Sequence, residues 1–93
     1  MTQLLNDSQI QENISQLANW ELVGKKIKSV REFKDFIEAI DFVNKLVEPA
    51  EKAGHHPDLE ISYNKVTVCL TSHDAGGLTE KDFEMAKTIS QLK

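Results

Sequence analysis

The sequence predicts an α+β domain in which three helices pack on one face of a four-stranded antiparallel sheet. Apolar and polar residues alternate through 59–63 and 66–71, which is the side-chain period of a β-strand. Between residues 36 and 50 the apolar residues recur instead at helical spacing. The links between segments are short, which favours antiparallel neighbours. The predicted order is helix-strand-strand-helix-strand-strand-helix, within a single domain that spans residues 1–93.

Each predicted helix begins at a polar residue that is followed three positions later by an acidic or amide side chain. This is the spacing of a capping box, in which two side chains satisfy free N–H groups of the first turn. The three pairs are Asn6 with Gln9, Asp35 with Glu38, and Thr79 with Asp82. The second helix should end near Gly54 and bury one wide apolar stripe, made up of Phe36, Ile37, Ile40, Val43, Leu46, Val47 and Ala50.

Two strands are predicted between the first two helices, from Trp20 to Val23 and from Lys26 to Phe33. The next two runs form a hairpin whose register can be counted. With residues 64–65 as the loop, apolar residues of the two runs face each other. Continued outward, the same register places His56 opposite His73, so two distant histidine segments come within side-chain reach.

Composition limits the classes of function. The 93-residue chain has a formal charge of −4 and a pI of about 5.3, which argues against a broad nucleic-acid-binding face. Its single cysteine, Cys69, excludes an internal disulfide and fits a reducing compartment. No apolar run reaches membrane length and no leader pattern opens the chain. We therefore expect a soluble, cytoplasmic protein that does not bind nucleic acid or membranes.

The three histidines allow a metal site as one interpretation. His55, His56, His73, Asp58 and Asp74 offer nitrogen and oxygen ligands that suit zinc. Adjacent residues of an extended chain point to opposite sides, however, so the neighbouring histidines could share an ion only where the backbone turns. The helical His-x-x-x-His spacing of many zinc enzymes is also missing. We rank a metal site below metal-free chemistry.

The segment 51–82 resembles the pterin-4a-carbinolamine dehydratase family. The resemblance is carried by Glu51-Lys52-x-x-His55-His56-Pro57, Tyr63-Asn64-Lys65-Val66, His73 and Gly77-Leu78-Thr79-x-x-Asp82. It extends more weakly to Trp20 and to residues 33–36. The resemblance implies an enzyme, a hydro-lyase that dehydrates 4a-hydroxytetrahydrobiopterin to quinonoid dihydrobiopterin without a metal or an organic cofactor. It also implies a homodimer or homotetramer.

The resemblance further implies the site residues. His55, His56 and His73 would be the active-site histidines, with Glu51 and Asp82 binding substrate or supporting them. His55 and His73 would transfer protons while His56 holds the pterin, whereas the hairpin register alone would pair His56 with His73. Many relatives carry an aromatic residue where this chain has Leu59. Some animal relatives bind a transcription factor, a partner that this sequence neither supports nor excludes.

Simpler interpretations remain open for these residues. Asp82 could serve only as a helix-capping residue, Glu51 could be a solvated helix residue, and the His56–His73 pair could have no chemistry. The whole chain could then be a non-catalytic interaction protein with the same fold. Because an open sheet leaves one face and an edge uncovered, we also expect copies of the chain to associate through sheet edges or faces.

Overall fold

The structure is a computed structural model, and it describes residues 3–92. Within them the chain forms the predicted order of elements: α1 (Asp7–Ser15), β1 (Glu21–Val23), β2 (Lys26–Glu32), α2 (Phe36–Ala53), β3 (Asp58–Ser62), β4 (Lys65–Leu70) and α3 (Glu80–Ser90). The predicted α+β class is therefore confirmed. Within the described residues no helix is both long enough and apolar enough to cross a membrane.

The four strands form one antiparallel sheet in the order β1-β2-β4-β3. The central pairing joins β2 to β4, from Ile27 opposite Leu70 to Glu32 opposite Lys65. The inward residues of β4 are fully buried, and α2 packs on this strand. The alternation of apolar and polar residues that predicted β4 therefore places its apolar side chains in the core and the remaining ones on the opposite face of the sheet. β1 and β3 are the two edges of the sheet.

The register of the β3–β4 hairpin differs from the prediction by two residues. Leu59 lies opposite Val68, and the loop consists of Tyr63 and Asn64. Asn64 is held by β2, because its side-chain amide donates to the Phe33 carbonyl at 2.8 Å and its carbonyl accepts the Phe33 N–H at 2.7 Å. Tyr63 instead adopts the left-handed backbone, with φ of 53°. A shift of two residues leaves every side chain on its predicted face.

The predicted facing of His56 and His73 is wrong. β3 begins at Asp58 and β4 ends at Leu70, so both histidines lie beyond the ends of the paired strands. Pro57 has no N–H group to donate, and it directly precedes the first paired residue of β3. The two histidine segments therefore depend on side chains, and not on the strand ladder, for their placement.

Helix α2 is capped as the sequence predicts. The Asp35 carboxylate accepts the Glu38 N–H at 2.9 Å, and the helix ends at Gly54, whose φ of 62° is left-handed. Helix α2 therefore begins and ends where the sequence predicts. At the start of α1, Asn6 forms the predicted capping box with Gln9.

The predicted apolar stripe of α2 is partly wrong, because it omits two buried residues and includes three exposed ones. The residues buried on this helix are Ala39, Phe42, Leu46 and Ala50, which follow one another at helical spacing. Ile37 and Val47 are 71% and 58% exposed, and Phe36 is half exposed. Ile37 and Val47 each lie five residues from Phe42, in opposite directions along the chain, which places each about 140° around the helix from Phe42. The helix therefore keeps an apolar surface that this chain does not cover.

Helix α3, whose first turn carries Asp82, is fixed to the sheet at its other end. The Trp20 indole N–H donates to the Ser90 hydroxyl at 2.9 Å. The Arg31 guanidinium donates to the carbonyls of Ile89 and Leu92 at 3.1 and 3.2 Å, where a cation also complements the helix dipole. These contacts fix the axis of α3 and hence the position of its first turn.

Truncation of the main core aromatic of α2 should unfold the domain readily. The Phe42 ring is 2% exposed, lies 5.1 Å from the Phe33 ring and is covered by the Arg31 guanidinium. We expect Phe42→Ala to lower the free energy of unfolding by about 3–5 kcal/mol in urea titrations. The control Asp41→Ala, at the exposed neighbouring position, should change it by less than about 0.5 kcal/mol. Similar losses in both variants would contradict this description of the core.

Candidate active site

The candidate site lies around one end of the sheet, where four elements begin or end. His55 and His56 follow the C-terminus of α2 and precede β3, while His73 follows β4 in the connection to α3. Each histidine contacts a carboxylate, and the three carboxylates come from α2, β3 and α3. The three pairs differ strongly in burial, and therefore in how firmly each histidine ring is held and how well solvent or a ligand can reach it.

The buried pair joins His55 to Asp82. The His55 Nε2 atom lies 2.5 Å from the Asp82 Oδ1 atom; the histidine side chain is 12% exposed and the carboxylate is fully buried. The backbone N–H of His55 also donates to the Ala50 carbonyl at 3.1 Å, just beyond the left-handed turn at Gly54. His55 is therefore held at both its backbone and its ring.

The second oxygen of Asp82 is also fully engaged. Its Oδ2 atom accepts the Thr79 backbone N–H and the Ser72 hydroxyl, each at 2.9 Å. An ionised carboxylate can only accept, so the Nε2 atom of His55 carries the hydrogen of their shared contact. In the neutral imidazole the Nδ1 atom is then left to accept a proton from another molecule. Asp82 thus caps α3 and orients His55 at the same time.

The second pair joins His56 to Glu51 on the surface. The His56 Nε2 atom lies 2.5 Å from the Glu51 Oε2 atom, and both side chains are more than half exposed. The left-handed residue Gly54 reverses the chain, so His56 returns over the last turn of α2, which carries Glu51. Glu51, which the resemblance implies as a substrate-binding or supporting residue, therefore contacts His56.

The third pair joins His73 to Asp58 more loosely. The His73 Nε2 atom lies 3.6 Å from the Asp58 Oδ2 atom, beyond hydrogen-bond distance, and both side chains are largely exposed. His73 lies in a short loop closed by a β-bridge between Ser72 and Gly77. This ring is the most exposed of the three and the least constrained.

A groove between α2 and α3 opens beside His55, with a volume of about 890 Å³. Its apolar lining comes from Pro49, Ala53, Met85 and Leu92, and charged side chains of both helices stand around it. His56 and His73 do not line this groove. Among residues 3–92 no three His, Cys, Asp or Glu side chains are grouped so that they could hold a metal ion, which does not favour the zinc interpretation.

Comparison with known proteins identifies the family. The model of the pterin 4 alpha carbinolamine dehydratase family matches residues 3–92. The chain belongs to this family. A relative from Cyanothece sp., provisionally named a pterin-4-alpha-carbinolamine dehydratase, is 68% identical over 92 residues, which cover 99% of this chain and 95% of the relative. The family resemblance stated from residues 51–82 is thereby confirmed.

Two solved structures share the fold of this dehydratase-family chain. A transcriptional coactivator/pterin dehydratase from Brucella melitensis matches with a TM-score of 0.88 and 35% identity, over 92% of this chain and 94% of that one. A pterin dehydratase-like protein described as a RuBisCO assembly factor in the alpha-carboxysome matches with a TM-score of 0.65 and 20% identity, over 77% and 86%. At that identity the second likeness concerns the fold alone.

The structure gives three residues contacts in the site that the sequence did not indicate. Ser72 and Thr79 are buried beside Asp82, and their hydroxyls lie 2.8 Å apart. The capping-box spacing indicated Thr79 as a cap, but nothing in the sequence indicated that Ser72 reaches the same carboxylate. Asp58, considered only as a metal ligand, is the carboxylate that lies beside His73.

Removal of the charge on Asp82 should destabilise the protein more than the same change on Glu51. In Asp82→Asn the amide oxygen should face the two donors from Thr79 and Ser72, so the amide NH₂ group faces His55. We expect chemical denaturation to show a loss of about 1–3 kcal/mol, the usual cost of a poorly paired buried polar group. Glu51→Gln alters an exposed pair and should cost less than about 1 kcal/mol. Equal losses of stability in the two variants would show that burial does not make the His55–Asp82 pair more important for stability than the His56–Glu51 pair.

Proposed function

We propose that this chain is a hydro-lyase that converts 4a-hydroxytetrahydrobiopterin into quinonoid dihydrobiopterin and water. The observation that carries the proposal is the buried His55–Asp82 pair, flanked by two exposed histidine–carboxylate pairs, in a member of the dehydratase family. The reaction would serve the recycling of tetrahydrobiopterin in the cytoplasm.

The chemistry needs two proton transfers. The bond between C4a and the hydroxyl oxygen breaks as the lone pair of the neighbouring ring nitrogen forms a double bond to C4a. One proton joins the departing hydroxyl to give water, and one leaves a pterin ring nitrogen, so atoms balance and no oxidation occurs. Histidine suits both transfers, because an unperturbed imidazole is available in both protonation forms near neutral pH. The ring nitrogen supplies the electrons, so no metal or organic cofactor is required.

The three histidines differ in how well they fit these tasks. His55 fits a proton acceptor, because Asp82 fixes its ring and leaves Nδ1 free to accept. His73 is exposed and loosely held, so it can adjust to the departing hydroxyl. His56 and Glu51 form a polar surface pair that can hold the edge of the pterin ring. The family resemblance supports the same division, with proton transfer by His55 and His73 and binding by His56.

Single alanine substitutions separate these roles. We expect His55→Ala and His73→Ala to lower kcat by about 10²–10⁴-fold, the usual contribution of one general acid or base. His56→Ala should chiefly raise KM, because it removes binding rather than proton transfer. The measurement is turnover of enzymically generated 4a-hydroxytetrahydrobiopterin, with Asp74→Ala as an exposed control beside His73. An intact kcat in His55→Ala together with a lost kcat in His56→Ala would reverse the roles.

The same assay includes one arm in which the protein has been treated with a chelator. An unchanged rate supports proton transfer by the histidines alone, whereas a loss that zinc restores would favour the metal-site interpretation. Absence of turnover by the folded wild-type protein would overturn the proposed function itself. It would leave the second candidate, a non-catalytic interaction protein.

Uncovered apolar side chains indicate an interaction surface, which the second candidate requires and the first permits. Ile37 and Val47 on α2 are exposed, and so are Leu22 on the edge strand β1 and Ile61 on the edge strand β3. Apolar edge strands and helix faces of this kind are typical of interaction surfaces. We propose that they hold copies of this chain together as a homodimer or homotetramer, a role that is compatible with catalysis.

Light scattering coupled to size-exclusion chromatography tests this assembly. We expect a mass of two or four times the 10.5 kDa chain at micromolar concentration. Ile61→Lys places a charge on the β3 edge and should lower the mass if that edge forms the contact, whereas Glu60→Lys, on the other side of the same strand, serves as the control. A 10.5 kDa particle for the wild-type protein would contradict the proposal.

A further inference from the structure

Ser72 is linked to both histidine segments. It contacts Asp82, which holds His55, and it is bonded through its peptide group to His73. It is 2% exposed and directly precedes His73. Its hydroxyl lies 2.9 Å from the Asp82 Oδ2 atom and 2.8 Å from the Thr79 hydroxyl. Because Asp82 also holds His55, the Ser72 hydroxyl is one contact removed from that ring.

The directions of these hydrogen bonds follow from counting hydrogens. A serine hydroxyl has one hydrogen, and an ionised carboxylate can only accept, so the Ser72 hydroxyl donates to Asp82. The Thr79 hydroxyl must then be the donor in its contact with Ser72. The resulting chain runs from Thr79 through Ser72 to Asp82, which also accepts from His55. Among the described residues no buried side-chain nitrogen or oxygen lacks a partner, so the network is complete.

The main chain of Ser72 closes the loop that presents His73. Its N–H donates to the Gly77 carbonyl at 3.0 Å, and its carbonyl accepts the N–H groups of Ala75 and Gly76 at 3.1 and 2.9 Å. Gly76 has a φ of 80°, a left-handed conformation that glycine adopts without strain and that lets the loop turn this tightly. The start and end of the loop therefore both depend on Ser72.

We propose that Ser72 is a positioning residue of the active site. Its hydroxyl fixes the orientation of Asp82 and therefore of the His55 ring, while its main chain fixes the loop that carries His73. The inference rests on the proposed dehydratase function for its effect on turnover. Its effect on the geometry of His55 is independent of that function and can be measured without a substrate.

The first test is proton NMR of the free protein. A histidine N–H that donates to a buried carboxylate exchanges slowly with water and gives a separate low-field resonance, which His55→Ala assigns by its disappearance. We expect Ser72→Ala to lose or strongly shift this resonance. Thr71→Ala is the matched control, since the neighbouring hydroxyl donates to the Lys25 carbonyl at 2.7 Å and not to Asp82, and it should keep the resonance.

The second test is turnover, with a pair of variants that have the same shape. Ser72→Thr retains the hydroxyl and Ser72→Val replaces it by a methyl group, so a packing effect would be common to both. We expect Ser72→Ala and Ser72→Val to lower kcat by about 10- to 100-fold with little change in KM, the scale of a misplaced reacting group. Ser72→Thr should restore both kcat and the His55 resonance towards wild-type values.

The outcomes separate this inference from the proposed function. An unchanged His55 resonance and kcat in Ser72→Ala would overturn the positioning role, as would equal effects of Ser72→Thr and Ser72→Val or of Thr71→Ala and Ser72→Ala. If the wild-type protein shows no turnover while Ser72→Ala alone loses the resonance, the proposed function fails and the positioning of His55 by Ser72 stands. Circular dichroism confirms that each variant compared is folded.

Discussion

The site depends on one fully buried carboxylate. Burial of a charge is costly unless hydrogen bonds replace its lost hydration, and Asp82 recovers them from three parts of the chain. Its donors are the N-cap residue of α3, the loop that follows β4, and the segment that follows α2. These segments must therefore take their places together, because loss of any one donor leaves the carboxylate incompletely satisfied. Asp82, which caps α3, therefore also holds together the three segments that form the site.

In the proposed mechanism, the burial of the three histidines accounts for their different roles. The exposed fraction of the side chain rises from 12% for His55 to 61% for His56 and 78% for His73. A buried and doubly held ring loses little entropy when it accepts a proton, so it suits a fixed base. Exposed histidine–carboxylate pairs contribute little to stability, so in the proposed mechanism His56 and His73 exchange their carboxylates for the substrate at small cost. The arrangement combines one rigid group with two adaptable ones.

The sequence predicted the class, the order of elements and the helix caps, because these depend on local periodicity and on spacings of three residues. It missed the hairpin register because Asn64 is bonded to Phe33, a contact between residues far apart in the chain. It also included exposed residues in the α2 stripe and left out the buried Phe42, since apolar residues alone do not show which side of a helix meets the sheet. The pattern within residues 51–82 led us to expect the three histidines in one site, which stays a prediction. The carboxylates beside His56 and His73 were not expected, because they follow from the turn at Gly54 and the observed register.

The central claim is that Asp82 orients His55 so that its Nδ1 atom can accept a proton. Asp82→Asn tests it most directly, because an amide NH₂ group facing the ring would require Nε2 to be the acceptor and would move the hydrogen to Nδ1. Steady-state turnover of 4a-hydroxytetrahydrobiopterin is measured at a temperature where circular dichroism shows that variant and wild type are equally folded. The predicted result is a fall in kcat of about 10²–10⁴-fold with little change in KM. A wild-type kcat in the folded variant would contradict the claim and leave Asp82 as a helix cap.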